Sequence, residues 1–507
     1  MTLANLLKRT WADLAAALFI LIGLALRLRQ YLSGRSFWLD EAMLALNIVH
    51  RDFAGLFRPL DYDQGAPLGF LMLEKLTITL LRNGELTLRL PPFIAGCLAL
   101  VFFYAFLRRF LSPAGFLPAL AFFAVSERLV YYTSELKQYI FDVFVLLGLL
   151  LVFLYALPKQ EEESAPGRAW IPLLLAGGLA VWFSHPSVFM LSGIGLTLLW
   201  QNHRNRRKLI QVGLVILGWL VSFGGVFLAS LGSLAGNNFL MDYWQDYFLP
   251  MPPWSDWGRY FGVLGQSTTY FGLAIPDWLS VLIVLGGLAA LWRIHPSLAS
   301  VFGLALLAAF GVSALGKYPL GGRMLLFIAP ISIGLFGAAF EGLYRLLLLA
   351  RLRWSAAMIT AALAALVLLS PASLAIERFQ QPRMQSNMHP ALAGLRLKHR
   401  PDDLIYIYYG GMPAFRYYAP FYGFAENQFS AGKISYYRLL EPTLADIESL
   451  RGNTRVWLLF SHVYEEGGVN ERDAIFEYIR EQNLGRCREE VRAPGTSVQL
   501  YLCDFAP

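Results

Sequence analysis

The most chemically loaded stretch of the sequence is Trp38-Leu39-Asp40-Glu41-Ala42, two adjacent carboxylates beside a tryptophan. A carboxylate held near a hydroxyl can take its proton during attack, and an aromatic face can seat a sugar ring. Asp40 and Glu41 are therefore candidate catalytic bases, and Trp38 a candidate substrate contact. The other reading is a surface acidic pair, with Asp40 capping a helix that starts at Glu41. A second cluster, Tyr131-Tyr132-Thr133-Ser134-Glu135-Leu136-Lys137-Gln138-Tyr139, sets polar and tyrosyl side chains between two apolar runs. Ionisable residues at membrane depth normally face the bundle interior and mark a site, although an interfacial tyrosine belt with a snorkelling lysine has the same composition.

A third polar turn, Lys317-Tyr318-Pro319-Leu320-Gly321-Gly322-Arg323, could hold a phosphate through charge-assisted hydrogen bonds from Lys317 and Arg323, or could simply anchor the chain at an interface. A long loop carries Tyr243, Trp244, Tyr247, Trp254, Trp257 and Tyr260 interleaved with Asp242, Asp246 and Asp256. That mixture suits bound carbohydrate and equally an interfacial belt. Trp244 is its candidate substrate contact. His185, before Pro186, stands at a helix turn as either a contact or a structural residue.

These residues must be positioned by elements solvated by lipid. Of 507 residues 56% are hydrophobic and only 15% charged, with a mean hydropathy of +0.49. Soluble domains carry about a quarter charged residues. Apolar runs fall at 13–32, 87–107, 112–131, 139–157, 169–184, 187–200, 209–231, 277–292, 297–315, 322–344 and 355–374. Most approach the ~20 residues that cross a bilayer, which predicts about eleven transmembrane helices. Pro67 to Arg82, with Glu74 and Lys75 inside it, is too short and too charged to span and is predicted to be a juxtamembrane helix. Under that count Lys8/Arg9, Arg108/Arg109, Arg204 to Lys208, Arg293 and Arg345 to Arg353 all share one side, which the positive-inside rule makes cytoplasmic. The N-terminus is then cytoplasmic. The outer side receives Ser33 to about Leu86, the Tyr131–Tyr139 turn, the aromatic loop from about Gly232 to Pro276, and everything after 374.

Residues 1–374 thus read as a membrane domain and 375–507 as a small extracytoplasmic α/β domain. In the latter, Leu404–Tyr409 and Val456–Phe460 read as strands and Arg472–Gln482 as an amphipathic helix. Cys97 lies in an apolar run. Cys487 and Cys503 flank a hairpin turning at Pro494-Gly495 and would face each other if Gly495 is its centre. A register pairing Val491 with the apolar face of Val498, Leu500 and Leu502 would separate the thiols, so the disulfide stays open. The net charge of +7 and pI near 9.2 follow from the topology clusters and do not point to nucleic acid. No Gly-rich nucleotide loop, His/Cys metal spacing or serine-nucleophile elbow occurs, which argues against a nucleotide-sugar donor. A divalent cation held by carboxylates stays open, and no metal ligand is assigned.

This arrangement resembles the GT-C-type glycosyltransferases that use polyprenyl-phosphate sugars, in particular the protein O-mannosyltransferase-like and aminoarabinose-transferase-like group. The resemblance rests on Trp38–Ala42, on Gln64-Gly65-Ala66-Pro67-Leu68, on Gly84-Glu85 with Leu88-Arg89-Leu90-Pro91, and on Tyr131-Tyr132 with Glu135, Lys137 and Tyr139. It is specific over about the first 160 residues and architectural beyond. It implies a polytopic helical fold with juxtamembrane helices in the first outer loop, Asp40 as catalytic aspartate, and Glu135, Lys137 and Tyr139 as the second-loop motif. The chain departs from the aminoarabinose transferases at Gln64–Pro67, where their Glu-Lys-Pro lysine is absent.

The expectation is a multi-pass plasma (inner) membrane glycosyltransferase that moves a sugar from a polyprenyl-phosphate donor to an acceptor lipid, glycan or protein on the extracytoplasmic face, with inversion. Asp40 is the base. Lys137, Arg323 and Lys317 hold the donor phosphate, and Trp38, Glu135, Gln138, Tyr139, His185 and Trp244 contact substrate. A transporter or flippase of a lipid-linked glycan is the alternative, against which stands the lack of repeated halves. In a third reading the outer domain belongs to a non-catalytic receptor.

Overall fold

The computed structural model describes residues 3–159, 170–432 and 440–506. The chain forms two compact units: residues 1–32 with 52–382, and residues 33–51 with 383–507. The sequence division at 374/375 is simpler than this interleaving. The last long helix continues to Gln380, and the segment carrying Asp40 and Glu41 groups with the C-terminal unit. Its apolar residues explain the grouping. Phe37 is buried against the ring of Tyr417 at 5.0 Å, and its N–H donates to the Tyr418 hydroxyl at 2.7 Å. Leu39, Leu44, Ala45 and Ile48 of helix Leu39–His50 are buried beside it.

The first unit is helical. Among the described residues eight helices are long and apolar enough to cross a membrane: Trp11–Tyr31, Leu90–Leu107, Tyr139–Leu157, Arg206–Leu231, Asp277–Ile294, Pro296–Ala314, Gly322–Leu349 and Ser355–Gln380. Shorter apolar helices, Pro113–Val125, Trp170–Phe183 and Ser187–Asn202, occupy the remaining runs. This is the architecture of an integral membrane protein. Pro67–Arg82 forms a helix of 14 residues, Leu68–Leu81, too short to span. The acidic stretch Gln160–Pro166 lies outside the described residues.

The run at 112–131 is not one helix. It breaks at Ser126 into Pro113–Val125 and Glu127–Tyr132. A helix end leaves carbonyls unpaired, which is costly away from water. Here the fully buried Arg27 guanidinium donates to the carbonyls of Ala124 at 3.2 Å and Phe123 at 3.4 Å, as well as to Gly23 in its own helix at 3.0 Å. The Ser126 hydroxyl donates to Phe271 O at 2.9 Å. The break sets the Tyr131–Tyr139 turn within a packed interior.

The second unit is α/β. Its strands are β1 (Leu404–Ile407), β2 (Ser430–Ala431), β3 (Val456–Phe460), β4 (Glu465–Glu466), β5 (Val469–Asn470), β6 (Arg486–Arg492) and β7 (Gln499–Asp504). Five make a sheet in the order β2-β1-β3-β7-β6, with β1 parallel to β2 and β3, and β7 antiparallel to β3 and β6. The β4–β5 pair turns at Gly467-Gly468, both in the left-handed region. Helix Glu471–Glu481 is capped by the Asn470 side chain and buries Ile475 and Ile479 with Leu458 and Phe460. Asp403 stands at the foot of β1. Burial would raise its carboxyl, but hydrogen bonds from Arg455, Trp457 and the Arg400 N–H outweigh that and hold it below the usual range.

Cys487 and Cys503 are directly opposite in the ladder and disulfide-bonded. Val491 nonetheless pairs with Leu500, because a β-bulge between Glu489 and Val491 shifts the register by one. Both sequence registers are thus realised, one on each side of the bulge.

Candidate functional site

In the first unit four polar segments converge. Tyr62 and Asp63 both adopt left-handed backbone, at φ 64° and 51°, a conformation that costs free energy outside glycine and persists only where surroundings enforce it. The Asp63 carboxylate accepts from Asn237 Nδ2 at 2.7 Å, tying the first loop to the aromatic loop. Gly65 permits a close approach there: a Cβ would lie 2.9 Å from the Leu234 side chain.

Next to this loop Lys137 is buried, and its ammonium donates to Gln64 Oε1 at 2.5 Å. Gln138 Nε2 donates to Gly65 O at 3.3 Å. Lys137 therefore brings a cation to the sequence position at which the resemblance shows a lysine missing. Glu135 is buried in the same turn, and its carbonyl accepts the Lys137 N–H at 2.7 Å. The Tyr139 ring meets Tyr132 edge-on at 5.5 Å, and Tyr132 meets Tyr131 at 5.3 Å. Burial raises the Tyr132 phenol well above its ordinary value, Glu135 adds to this, and Arg323 opposes it.

Arg323 stands in the first turn of Gly322–Leu349, where the polar turn from Lys317 ends. Its guanidinium carbon lies 5.6 Å from the ring centres of both Tyr139 and Trp244, a pair of cation–π contacts. The turn is locked by the Leu320 N–H, which donates to Tyr247 O at 2.8 Å. Gly321 lies flat against the Tyr247 ring, leaving no room for a Cβ. Lys317 has an exposed side chain, unlike Lys137. Its neighbour Tyr318 turns inward instead, donating to Met324 O at 3.2 Å and packing on Phe189 at 5.2 Å. His185 is half-buried, and burial pushes its imidazole down to about 4, so it is neutral at pH 7. Asp142, buried in the first turn of helix Tyr139–Lys159, belongs to the same polar layer and was not singled out from sequence. Its position inside an apolar run was the available signal.

In the second unit helix Leu39–His50 starts one residue before Asp40. Trp38 is the N-cap, with extended backbone and no side-chain cap, and Asp40 and Glu41 occupy the first turn. Asp40 is thus not the helix cap of the alternative reading. Its charge still complements the helix dipole. The two carboxylates differ sharply. Glu41 is fully buried and bonded to the fully buried Arg35 at 2.8 Å, whereas Asp40 is half-exposed. The Trp38 ring lies 5.9 Å from that of His462, a residue sequence reasoning did not single out. Among the described residues no group of three or more His, Cys, Asp or Glu is arranged to hold a metal ion.

Residues 65–225 match the family described as dolichyl-phosphate-mannose-protein mannosyltransferase. This segment holds Lys137, Glu135 and Tyr139. The chain is similar in structure to ArnT from Cupriavidus metallidurans bound to undecaprenyl phosphate, with 14% identity, 97% of this chain and 98% of that chain covered, and a TM-score of 0.54. ArnT in its apo state gives 0.53 over the same coverage. The Archaeoglobus fulgidus oligosaccharyltransferase in its apo form is similar at 13% identity over 90% of this chain, with a TM-score of 0.52. The chain spans 70% of that enzyme's length there, and 60% in its complex with zinc and sulfate. No curated protein sequence matches the chain. The fold is the GT-C fold, carrying a small C-terminal sheet domain.

Proposed function

We propose that this GT-C-fold chain is a membrane glycosyltransferase that moves a sugar from a polyprenyl-phosphate donor to a hydroxyl-bearing acceptor on the extracytoplasmic face. The observation that carries the reading is the buried Lys137 ammonium, seated on Gln64 inside the segment that matches the mannosyltransferase family. A buried ammonium is a fixed positive charge in a site of low dielectric, where it attracts an anion far more strongly than it would in water. A polyprenyl phosphate is an anion of that kind. ArnT's structure with undecaprenyl phosphate supports the donor class.

In this reading the acceptor oxygen attacks the anomeric carbon from the face opposite the phosphate. The carbon–oxygen bond to phosphate breaks as the new glycosidic bond forms, and the anomeric centre inverts. The acceptor's proton passes to Asp40. Glu41 is a poor rival, since its carboxylate is already committed to Arg35. The leaving phosphate gathers negative charge, which Lys137 and Arg323 stabilise in a site that excludes water. Lys317, being exposed, contributes least of the three cations. The rings of Tyr139 and Trp244 each lie 5.6 Å from the Arg323 guanidinium carbon and fix where that charge sits.

The disulfide supports an oxidising compartment for the second unit, and with it an N-terminus on the cytoplasmic side of the inner membrane. The test is the lipid that copurifies with the protein, identified by mass spectrometry. Polyprenyl phosphate is expected. Its absence, together with no binding of added undecaprenyl phosphate, would overturn the reading.

A further inference from the structure

The second unit places an unusual residue at the place where its sheet should bind something. Strands β1 and β3 are adjacent and parallel. From β1 the chain crosses to β2 on one side, and from β3 it leaves toward β6 and β7 on the other. In open α/β sheets ligands bind outside the carboxyl ends of strands where connections diverge in this way. His462 stands two residues beyond the end of β3, at this divide.

His462 is held there firmly. Its backbone is left-handed, at φ 49°, and its N–H donates to Ser497 Oγ at 2.9 Å. Its carbonyl packs on the turn that follows β1, so closely that a Cβ on Gly410 would lie 2.5 Å from it. A strained backbone enforced from two sides is a reason to look for function at the residue. The imidazole is half-exposed, set perpendicular to Tyr464 at 5.0 Å and tilted against Trp38 at 5.9 Å. Trp38 is the N-cap of the helix whose first turn carries Asp40. Trp38, His462 and Tyr464 therefore make a shelf of aromatic rings with a polar nitrogen, and Trp38 ties it to the helix turn that carries Asp40.

We propose that Trp38 and His462 form the acceptor shelf of the transferase, and that the acceptor is a glycan whose ring stacks on Trp38 while a hydroxyl bonds the His462 imidazole. This rests on the functional reading above and assigns the C-terminal unit a part in acceptor choice. Amphipathic rings offer an apolar face to sugar C–H groups, and the polar nitrogen selects for a hydroxyl at one position. A hydrogen-bonding site of this kind discriminates strongly against analogues that lack the hydroxyl.

The full chain in lipid nanodiscs, probed with the neutral disaccharides maltose and chitobiose by saturation-transfer NMR, tests the shelf. Undecaprenyl phosphate binding, read by native mass spectrometry, serves as the separate control. Wild type is expected to transfer saturation to at least one disaccharide. His462→Asn, which tolerates the left-handed backbone, is expected to lower that signal roughly fivefold or more while keeping undecaprenyl phosphate and the intact disulfide. His462→Gln carries the same carboxamide one methylene further out, nearer the place of the imidazole Nε2, and is expected to lose less. No saturation transfer in wild type, or an undiminished signal in His462→Asn, overturns the shelf even though lipid binding persists. Failure of wild type to bind undecaprenyl phosphate would instead sink the transferase reading.

Discussion

Glu41→Ala should be a stability variant and Asp40→Asn an activity variant, although the two carboxylates are neighbours. Glu41 and Arg35 are both fully buried and 2.8 Å apart. Truncating Glu41 removes the carboxylate of a fully buried ion pair, a change that typically costs about 3–5 kcal/mol. Domain stabilities are typically about 5–15 kcal/mol, so this is a large fraction. At about 4 °C per kcal/mol for a unit of this size, melting should fall by roughly 12–20 °C. Asp40→Asn leaves a partly exposed side chain of the same shape and is expected to cost less stability than emptying the buried Glu41 position. Its turnover should drop by about 10²–10⁴-fold, the usual value of a positioned base. Thermal unfolding of the full chain in nanodiscs, followed by tryptophan fluorescence, measures the first quantity. Release of labelled polyprenyl phosphate from a synthetic donor measures the second. Because a buried pair can often be exchanged for apolar residues at little net cost, Arg35→Met/Glu41→Leu should recover most of the lost stability. The reasoning fails if Glu41→Ala melts with wild type, or if Asp40→Asn unfolds as readily as Glu41→Ala.

Lys137→Ala is expected to lower turnover on the order of a hundredfold, matching the ~3 kcal/mol that one fixed group contributes to a developing anion, while Lys317→Ala changes it less than threefold by steady-state assay. Wild-type turnover in Lys137→Ala would remove the phosphate assignment. For His185 the folded imidazole titrates near 4, below its ordinary 6.5, so the unfolded chain binds the extra proton between those values. Stability should therefore fall as pH drops from about 6.5 toward 4, and His185→Gln should flatten that slope in melting curves at pH 7 and pH 5. Replacing Cys487 and Cys503 by serine opens a loop of sequence separation 16 and should cost about 3 kcal/mol, measurable by urea unfolding. For orientation, a cysteine at Ser449 should be labelled by impermeant maleimide from outside intact cells and one at Asn205 should not; the opposite pattern would invert the topology.

Much of the fold is legible in the chain because its signals are local. A span must carry its own ~20 apolar residues, and basic residues between spans report their side, so neither depends on what packs where. Val456–Phe460 agrees with the strand expected from β-branched and aromatic content, and Glu471–Glu481 differs from the expected helix by one residue at each end. Leu68–Leu81 is likewise recognisable as too short to cross. Lys137 and Arg323 could be named as candidates because charge is rare in such a sequence. What each one touches could not.

Tertiary structure decided the matters in which a distant residue supplies or withholds a partner. The apolar run at 112–131 reads as continuous until Arg27, about a hundred positions earlier, donates to the carbonyls at its break. Asp40 and Glu41 are nearly equivalent by composition, and the fold separates them by burying Glu41 against Arg35 while leaving Asp40 partly exposed. Gln64 becomes a seat for a cation only when the second turn brings Lys137 to it. Two incompatible hairpin registers coexist through a bulge that no residue type announced. His462 is an ordinary histidine in the sequence, and it becomes a candidate contact through the strand order that places it at the diverging ends of β1 and β3. Hydropathy is a property of each residue and survives in the linear string. Hydrogen bonds, ion pairs and ring contacts are properties of pairs, and only the folded chain chooses the pairs.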